Sequence, residues 1–306
     1  MFSAPGIRDI VVSPHGEAQP GGSGLTAMKE LSLDEIRARL RTARLGHVIH
    51  LMEEASSTNE VAKGLAHAGA EEGCVVVAER QRQGRGRLGR RWHSPAGGLW
   101  FSVILRPEMD AREAPRLTLT AAVAIANAIR GALGLQAEVK WPNDILVRGR
   151  KVCGILTETV LKGGELCFVV LGIGINANID KGELPGDVGE SAATLREASG
   201  EEVDRNTLLC RCLEQLEAHY AMLGEGGINS ILEEWRRLAP LLGEEVEVRG
   251  LDLRVRGRAL DVDEDGALVL ELDDGARYRV ISGDVSLRSR RDLGGTTRGR
   301  VDEAVG

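Results

Sequence analysis

Gln81-Arg82-Gln83-Gly84-Arg85-Gly86-Arg87-Leu88-Gly89-Arg90-Arg91-Trp92 is the stretch on which the fold turns. It contains G-x-G-x-x-G from Gly84 to Gly89. That signature marks a dinucleotide fold only when a strand precedes it and a helix opens on it. Here Pro95, Gly97 and Gly98 follow, then the apolar run Leu99 to Leu105, so the loop joins two strands and a doubly wound sheet is excluded. A kinase glycine loop also joins two strands, but neither HRD nor DFG occurs in the chain.

Six arginines lie between Arg80 and Arg91 without an acid, in a chain of formal net charge -7. The glycines leave this backbone too mobile to hold a shape alone, and the guanidinium groups repel one another until an anion arrives. The expectation is a loop that orders around a phosphate- or carboxylate-bearing ligand. An arginine-rich RNA-binding segment and a solvated hairpin tip are competing readings. Trp92 counts against both, because an indole beside arginines offers a stacking plane for a purine or other ring.

Working outward, residues 73–79 read as a strand leading into the loop. Before them, Ser57 and Glu60 form a capping box for a helix through Val61 and Leu65 to about Gly69, and 47–53 read as a strand. Ser32 and Glu35 form another box, opening a helix with an apolar stripe of Leu33, Ile36 and Leu40 that Gly46 stops. After the loop, Pro115 fits the first turn of a helix to about Leu133, so apolar all round that it belongs in the core. Strands follow at 136–141, 151–158 and 166–175, then helices at 204–223 and 229–238, the latter opened by Ser230 and Glu233. The fold class is α+β, one mixed β-sheet packed with helices.

Beyond Pro240 the pattern changes to short strands at 244–249, 254–262, 267–272 and 276–281, separated by Asp265-Gly266 and Asp274-Gly275. Such hairpins suggest a small C-terminal SH3-like β-barrel. The expected organisation is a flexible extension over 1–28, a catalytic domain over 29–240, the barrel over 241–289 and a disordered tail over 290–306. There are no internal repeats.

Lys140-Trp141-Pro142-Asn143-Asp144 closes the strand 136–141 with a cation, an aromatic plate, an amide and a carboxylate. The bland reading is a turn with local Asn and Asp bonds; the functional one puts Asn143 on a nucleotide or Mg²⁺-bound phosphate and Lys140 toward the ligand. Lys151 precedes the buried run Val152 to Leu156, so it is held at the edge of the core, where it could neutralise phosphate charge.

Mild acidity argues against nucleic acid as the main partner. The cysteines Cys74, Cys153, Cys167, Cys210 and Cys212 form no CxxC pair, which fits a reduced cytoplasmic setting without structural zinc. No apolar run approaches the roughly 18 residues needed to cross a bilayer, so no membrane partner is expected, and no signal peptide is evident.

Together these motifs resemble the biotin protein ligase (biotin–acetyl-CoA-carboxylase ligase) family. Ser57-Thr58-Asn59, the GRGRLGRRW loop, KWPNDI from Lys140, GRKVCGIL from Gly149 and Gly172-Ile173-Gly174-Ile175-Asn176 fall in the family's order and spacing, over roughly residues 32 to 288. The resemblance implies a class II aminoacyl-tRNA synthetase/biotin ligase-like catalytic domain. It implies biotin contacts from Ser57, Thr58, Asn59, Gln81, Gly84, Arg85, Arg87, Lys151, Gly154, Gly172 and Gly174. On the ATP side it implies Arg85, Arg87, Arg90, Trp92, Asn143, Lys151 and Asn176, with Lys151, Arg87 and Arg85 as the catalytic cations. Magnesium would come with ATP and not occupy a dedicated protein site.

The reaction so implied is attack of the biotin carboxylate on the α-phosphate of MgATP, giving biotinyl-5′-AMP, then transfer to a lysine of a biotin carboxyl carrier protein. No covalent enzyme intermediate is needed, and Cys153 belongs to the core. Some family members also repress through an N-terminal winged helix. About 45 residues precede the first catalytic strand here and encode one short helix, less than a three-helix DNA reader needs. A monofunctional ligase with no operator DNA as partner is therefore expected; a homodimer is left open. Lipoate–protein ligases are the nearest enzyme rival, and an arginine-rich RNA-binding module the non-enzymatic one.

Overall fold

Leu99-Trp100-Phe101-Ser102-Val103-Ile104-Leu105 is apolar on both faces except for one serine, the pattern of a strand covered on both sides. In the computed structural model, which describes residues 29–184, 191–250 and 253–287, it is β3 (Leu99–Leu105), buried throughout. The expected extension over 1–28 and tail over 290–306 lie outside the described residues. β3 is the third strand of a seven-stranded sheet ordered β1-β2-β3-β7-β6-β5-β4. The others are β1 (Ile49–Ala55), β2 (Val75–Gln81), β4 (Ala137–Lys140), β5 (Asp144–Val147), β6 (Arg150–Lys162) and β7 (Glu165–Ile175). β1 and β2 are parallel and every other neighbour is antiparallel, so the sheet is mixed.

The two faces follow from the period of two along each strand. Val75, Val77, Phe101, Val103, Leu171 and Ile173 face α3 (Ala114–Leu133), while Val76, Ile104, Phe168 and Val170 face α2 (Thr58–His67). α3 is apolar all round because it is covered by the sheet on one side and by α5 (Arg205–Gly224) and α6 (Ile228–Leu238) on the other. Each of its buried Leu and Ile side chains contributes roughly 1.5–3 kcal/mol. Pro115 lies in its first turn and Gly134, at φ 66°, ends it. α1 (Leu33–Arg39) packs on α5, and a five-residue α4 (Leu195–Ser199), unforeseen in the sequence, is capped by Thr194.

Three cap expectations are corrected. Ser32 accepts the Glu35 N–H, but Glu35 turns to Lys29 and Arg39, and α1 ends at Arg39, well before Gly46. Ser57 occupies the N-cap of α2 without a side-chain cap bond; Gln81 Oε1, from β2, takes the Thr58 N–H instead. Ser230 is inside α6, whose N-cap is Gly227. In the last two, a tertiary acceptor or an earlier helix start displaces the local S-x-x-E signature. Strand edges move too: β1 and β2 each lie two residues later than expected, and β6 runs on to Lys162 because its far half stays hydrogen-bonded to β7.

The C-terminal sheet has the order β11-β10-β9-β8-β12, all antiparallel, consistent with an SH3-like barrel. Its strands are β8 (Glu245–Arg249), β9 (Arg254–Val262), β10 (Leu268–Glu271), β11 (Arg277–Val280) and β12 (Asp284–Leu287). The four-residue β5 and β12 are the strands the sequence pattern did not flag. Trp141 is not an open plate: it is buried, and its Nε1 donates to Gly266 O of the barrel at 3.0 Å. Arg116 Nε adds a bond to Glu264 O at 2.7 Å, so the barrel is fastened beside the start of α3.

Candidate active site

Sheet register builds the floor. Gly174 of β7 lies between Trp100 of β3 and Gly154 of β6, and two residues along Gly172 lies between Ser102 and Leu156. Opposed residues share a face, so these six pave one patch on the α2 side of the sheet. The glycines leave room for close approach. A Cβ on Gly172 would lie 2.0 Å from Asn59 Oδ1, one on Gly154 2.9 Å from the Trp92 ring, and one on Gly174 2.5 Å from Trp92 Nε1.

The first turn of α2 is one wall. Thr58 and Asn59 are buried there, and the Ser102 hydroxyl lies 2.8 Å from Thr58 Oγ1 and 2.6 Å from Asn59 Oδ1. Asn59 Nδ2 donates to Glu158 Oε2 at 2.7 Å, which fixes the amide's orientation. Gln81 accepts the Thr58 N–H at 2.7 Å and donates through Nε2 to Ser94 Oγ at 2.9 Å. Behind them Lys63 bridges Glu60 and Glu158 at 3.0 and 2.7 Å, and its hydrogen bond draws the Glu60 carboxyl below its ordinary pKa.

The arginine segment is the roof, and it is a hairpin. Gln81 N–H donates to Ser94 O, Trp92 N–H to Gly84 O and Gly86 N–H to Arg90 O, all at 2.8–2.9 Å. The tip is one 3-10 turn, Arg87–Gly89, with Leu88 at φ 56°. Backbone bonds and protein carboxylates hold it in this conformation. Arg85 pairs with Glu60, Arg90 with Asp284, and Arg82 with Glu54 at 3.2 Å. Arg87 Nη1 donates to Asn143 Oδ1 at 3.3 Å and Gly283 O at 3.2 Å, while Nη2 reaches Ser282 Oγ at 3.2 Å. Burial lowers the Arg87 pKa, against the pull of Asp284 and Asp144.

Lys151 starts the third wall. Its backbone is held by Ser191 O and the Ala193 N–H, and its Nζ lies 2.6 Å from Asp144 Oδ1 and 4.9 Å from the centre of the Trp92 ring. Asn143 and Asn176 donate to Ile155 O and Ala193 O at 2.7 and 3.1 Å. Trp92 stands edge-on to Trp100, and its buried Nε1 has no hydrogen-bond partner among the described residues, a donor that a ligand oxygen would satisfy.

These walls enclose a cleft of about 750 Å³. Ser57, Thr58, Asn59, Gln81, Arg85, Arg87, Arg90, Trp92, Asn143, Lys151, Gly154, Gly172, Gly174 and Asn176 all line it. Gly84 does not. It sits in the hairpin stalk, where a Cβ would meet Trp92 O at 2.3 Å and Ser94 Oγ at 2.6 Å. Arg85 is turned to Glu60 and Glu158 at the α2 end, away from Lys151, so its position does not support the phosphate-neutralising part expected of it. Cys153 is fully buried, and burial pushes its thiol pKa well up, which makes it inert.

Sequence reasoning passed over Ser102, Asp144, Glu158 and Asp284 as site residues. Ser102 had a usable signal: it is the one polar residue in the β3 run. Glu158 and Asp284 had none, since only tertiary packing brings them to the cleft.

A profile of the biotin/lipoate A/B protein ligase family matches residues 51–176, and one of the biotin protein ligase C-terminal domain matches 241–288. The chain is 39% identical over 259 residues to the bifunctional ligase/repressor BirA of Bacillus subtilis, covering 84% of this chain and 79% of that one. It is 34% identical over 229 residues to the biotin–[acetyl-CoA-carboxylase] ligase of Paracoccus denitrificans, covering 72% and 92%. Among solved structures it is similar to a biotin protein ligase from Aquifex aeolicus in complex with biotin and ATP. That match has TM-score 0.68 and 29% identity, and covers 79% of this chain and 99% of that one.

Proposed function

The chain belongs to the biotin protein ligase family, and we propose that its cleft activates biotin with ATP and passes the biotinyl group to a lysine of a biotin carboxyl carrier protein. The observation that carries this reading is the glycine floor of Gly154, Gly172 and Gly174 under Trp92, with Lys151 at one end and the Asn59–Ser102–Thr58 network at the other. A neutral, polar ureido ring needs buried hydroxyls and amides to satisfy it, and that is the chemistry of the α2 wall. A carboxylate meeting a triphosphate needs cations, and Lys151 stands at that end with Arg87 and Arg90 above it.

In the first step a biotin carboxylate oxygen forms a bond to the α-phosphorus as the bond to pyrophosphate breaks. Lys151, held by Asp144, offsets the charge that gathers there. Arg87 and Arg90 tie the hairpin to Asn143 and to the barrel, so the roof stays down over an anhydride that water would hydrolyse. Arg85 fastens the hairpin's other side to α2. A magnesium ion arriving with ATP would find a carboxylate oxygen of Asp144 in the cleft lining and would supply further neutralisation. In the second step the neutral ε-amine of the carrier lysine attacks the acyl carbon and AMP leaves.

We confine the proposal to ligation, because the chemistry the cleft offers is acyl activation. Among the described residues no helix is long and apolar enough to cross a membrane. The test is to mix the purified protein with biotin, MgATP and a biotin carboxyl carrier domain and weigh the carrier by mass spectrometry. One added biotinyl group on lysine is expected; an unmodified carrier with no pyrophosphate released overturns the reading.

A further inference from the structure

The outer face of the barrel carries a charged cluster that the ligation chemistry does not use. Antiparallel register sets Glu247 of β8 opposite Arg256 of β9 and Arg249 opposite Arg254; β12 then places Asp284 opposite Arg249. Opposed residues share a face, so Arg254, Arg249 and Asp284 form one cross-strand row beside Arg256 and Glu247. Three guanidinium groups converge on one carboxylate: Arg249 Nε on Oε1, and Arg254 Nη2 and Arg256 Nε on Oε2 at 3.0 and 2.6 Å. The Glu247 side chain is 6% exposed under them, while the arginines are 66%, 60% and 44% exposed. Burial pushes the Glu247 pKa up, but the three guanidinium bonds outweigh it and hold the carboxyl at about 2. Asp284 is matched by Arg90, and the three arginines against Glu247 leave a surplus of two, with N–H groups still facing water.

Location gives that surplus a use. Asp284, the neighbour of Arg249, lines the cleft and contacts Arg90 and Arg87 of the hairpin. Arginines therefore run along one rim of the cleft, from the hairpin across Asp284 and onto the barrel.

We propose that the Arg249, Arg254 and Arg256 cluster is a docking surface for an acidic patch on the carrier domain whose lysine receives the acyl group. The inference rests on the ligase reading above. A folded carrier that delivers one lysine into the cleft must lay its neighbouring surface on the rim. The chain as a whole carries -7, so an acidic carrier is repelled over most of its approach and attracted here, which orients the encounter. Nucleic acid fits less well, since duplex sites commonly engage about 6–10 phosphates and this cluster offers two uncompensated charges.

The experiment compares the parent with the combined variant Glu247→Gln, Arg249→Gln, Arg254→Gln, Arg256→Gln, and with a form carrying lysine at the three arginines. Pyrophosphate release with biotin and MgATP alone reads the first step; biotinylation of an acidic biotin carboxyl carrier domain reads the second. The first step should be unchanged in both variants. KM for the carrier should rise about tenfold in the glutamine variant at low ionic strength and much less at high salt, and the lysine form should stay near the parent. Should the combined variant unfold, the single Arg254→Glu reversal at an exposed position should raise the carrier KM in the same way. A carrier KM equal to the parent's at low salt overturns the proposal, and if binding of a short DNA duplex is lost instead, the surface belongs to nucleic acid. A parent that releases no pyrophosphate with biotin would sink the ligase reading itself, a separate readout.

Discussion

Gly154 on β6 and Gly174 on β7 lie directly opposite each other, and the indole of Trp92 rests on both. Neither glycine is needed for an unusual backbone angle; each is needed for the space above it. Trp92 is in turn propped by Trp100 and by the Lys151 ammonium. Gly174→Ala should therefore dislodge Trp92. Overpacking of this kind costs about 1–3 kcal/mol, so adenylate formation should fall roughly ten- to hundredfold while the fold persists. Trp92 in the remaining native protein should show a shifted fluorescence; an unshifted spectrum with normal activity would show that the ring is not held by the glycine floor.

Lys151→Ala removes the cation that Asp144 and the Trp92 ring hold in place. Adenylate formation should drop by about two to three orders of magnitude, typical for a preorganised charge at a reacting centre, with ATP affinity changed far less. Rapid-quench measurement of pyrophosphate checks this. A burst at the parent's rate would remove Lys151 from the chemistry.

Arg87→Gly cuts the hairpin's bonds to Asn143, Ser282 and Gly283 together. The roof should loosen and release biotinyl-AMP into solution, where it acylates lysines indiscriminately. Streptavidin blots of bystander proteins should darken in the presence of this variant. Full retention of the adenylate would mean that the remaining pair, Arg90 with Asp284, closes the cleft alone.

Ser102→Ala leaves Asn59 Oδ1 without its 2.6 Å donor and Thr58 without its neighbour. Losing one buried hydrogen bond costs about 1–3 kcal/mol, and here it falls on groups proposed to meet biotin, not ATP. KM for biotin should rise about tenfold or more, with KM for ATP unchanged. Equal rises in both would make Ser102 a residue of general packing.

How much of this was legible beforehand depends on range. β3, α3 and α5 are near where periodicity put them, because long apolar patterns report burial directly. Arg85, Arg87, Trp92, Asn143 and Lys151 stood out by their own chemistry, whereas Ser57, Thr58, Asn59, Gln81, Gly154, Gly172, Gly174 and Asn176 were placed by the family resemblance their motifs carry. What escaped was set by tertiary partners. Gln81, not Ser57, caps α2, and Arg85 goes to Glu60 because α2 passes beside the hairpin. Trp141 left the cleft for the barrel because Gly266 O meets its indole. Asp284 joined the site because β12, four residues long, pairs with β8 at the cleft rim.

Acid titration isolates the one carboxylate most displaced in this set of contacts. Glu247 is held at about 2 from an ordinary 4.5. A carboxyl with its folded pKa depressed adds stability that is complete above its unfolded value and lost as pH falls toward the folded one. Glu247→Gln should thus be less stable than the parent at neutral pH by about 1 kcal/mol, the half-exposed arginines weakening the effect through solvent. That gap should begin to close near pH 4.5 and vanish by about pH 2. Urea midpoints of the pair across this range read it directly. A gap that stays constant on acidification would mean that Glu247 acts through packing and not through its charge, since only the ionised form has anything to lose.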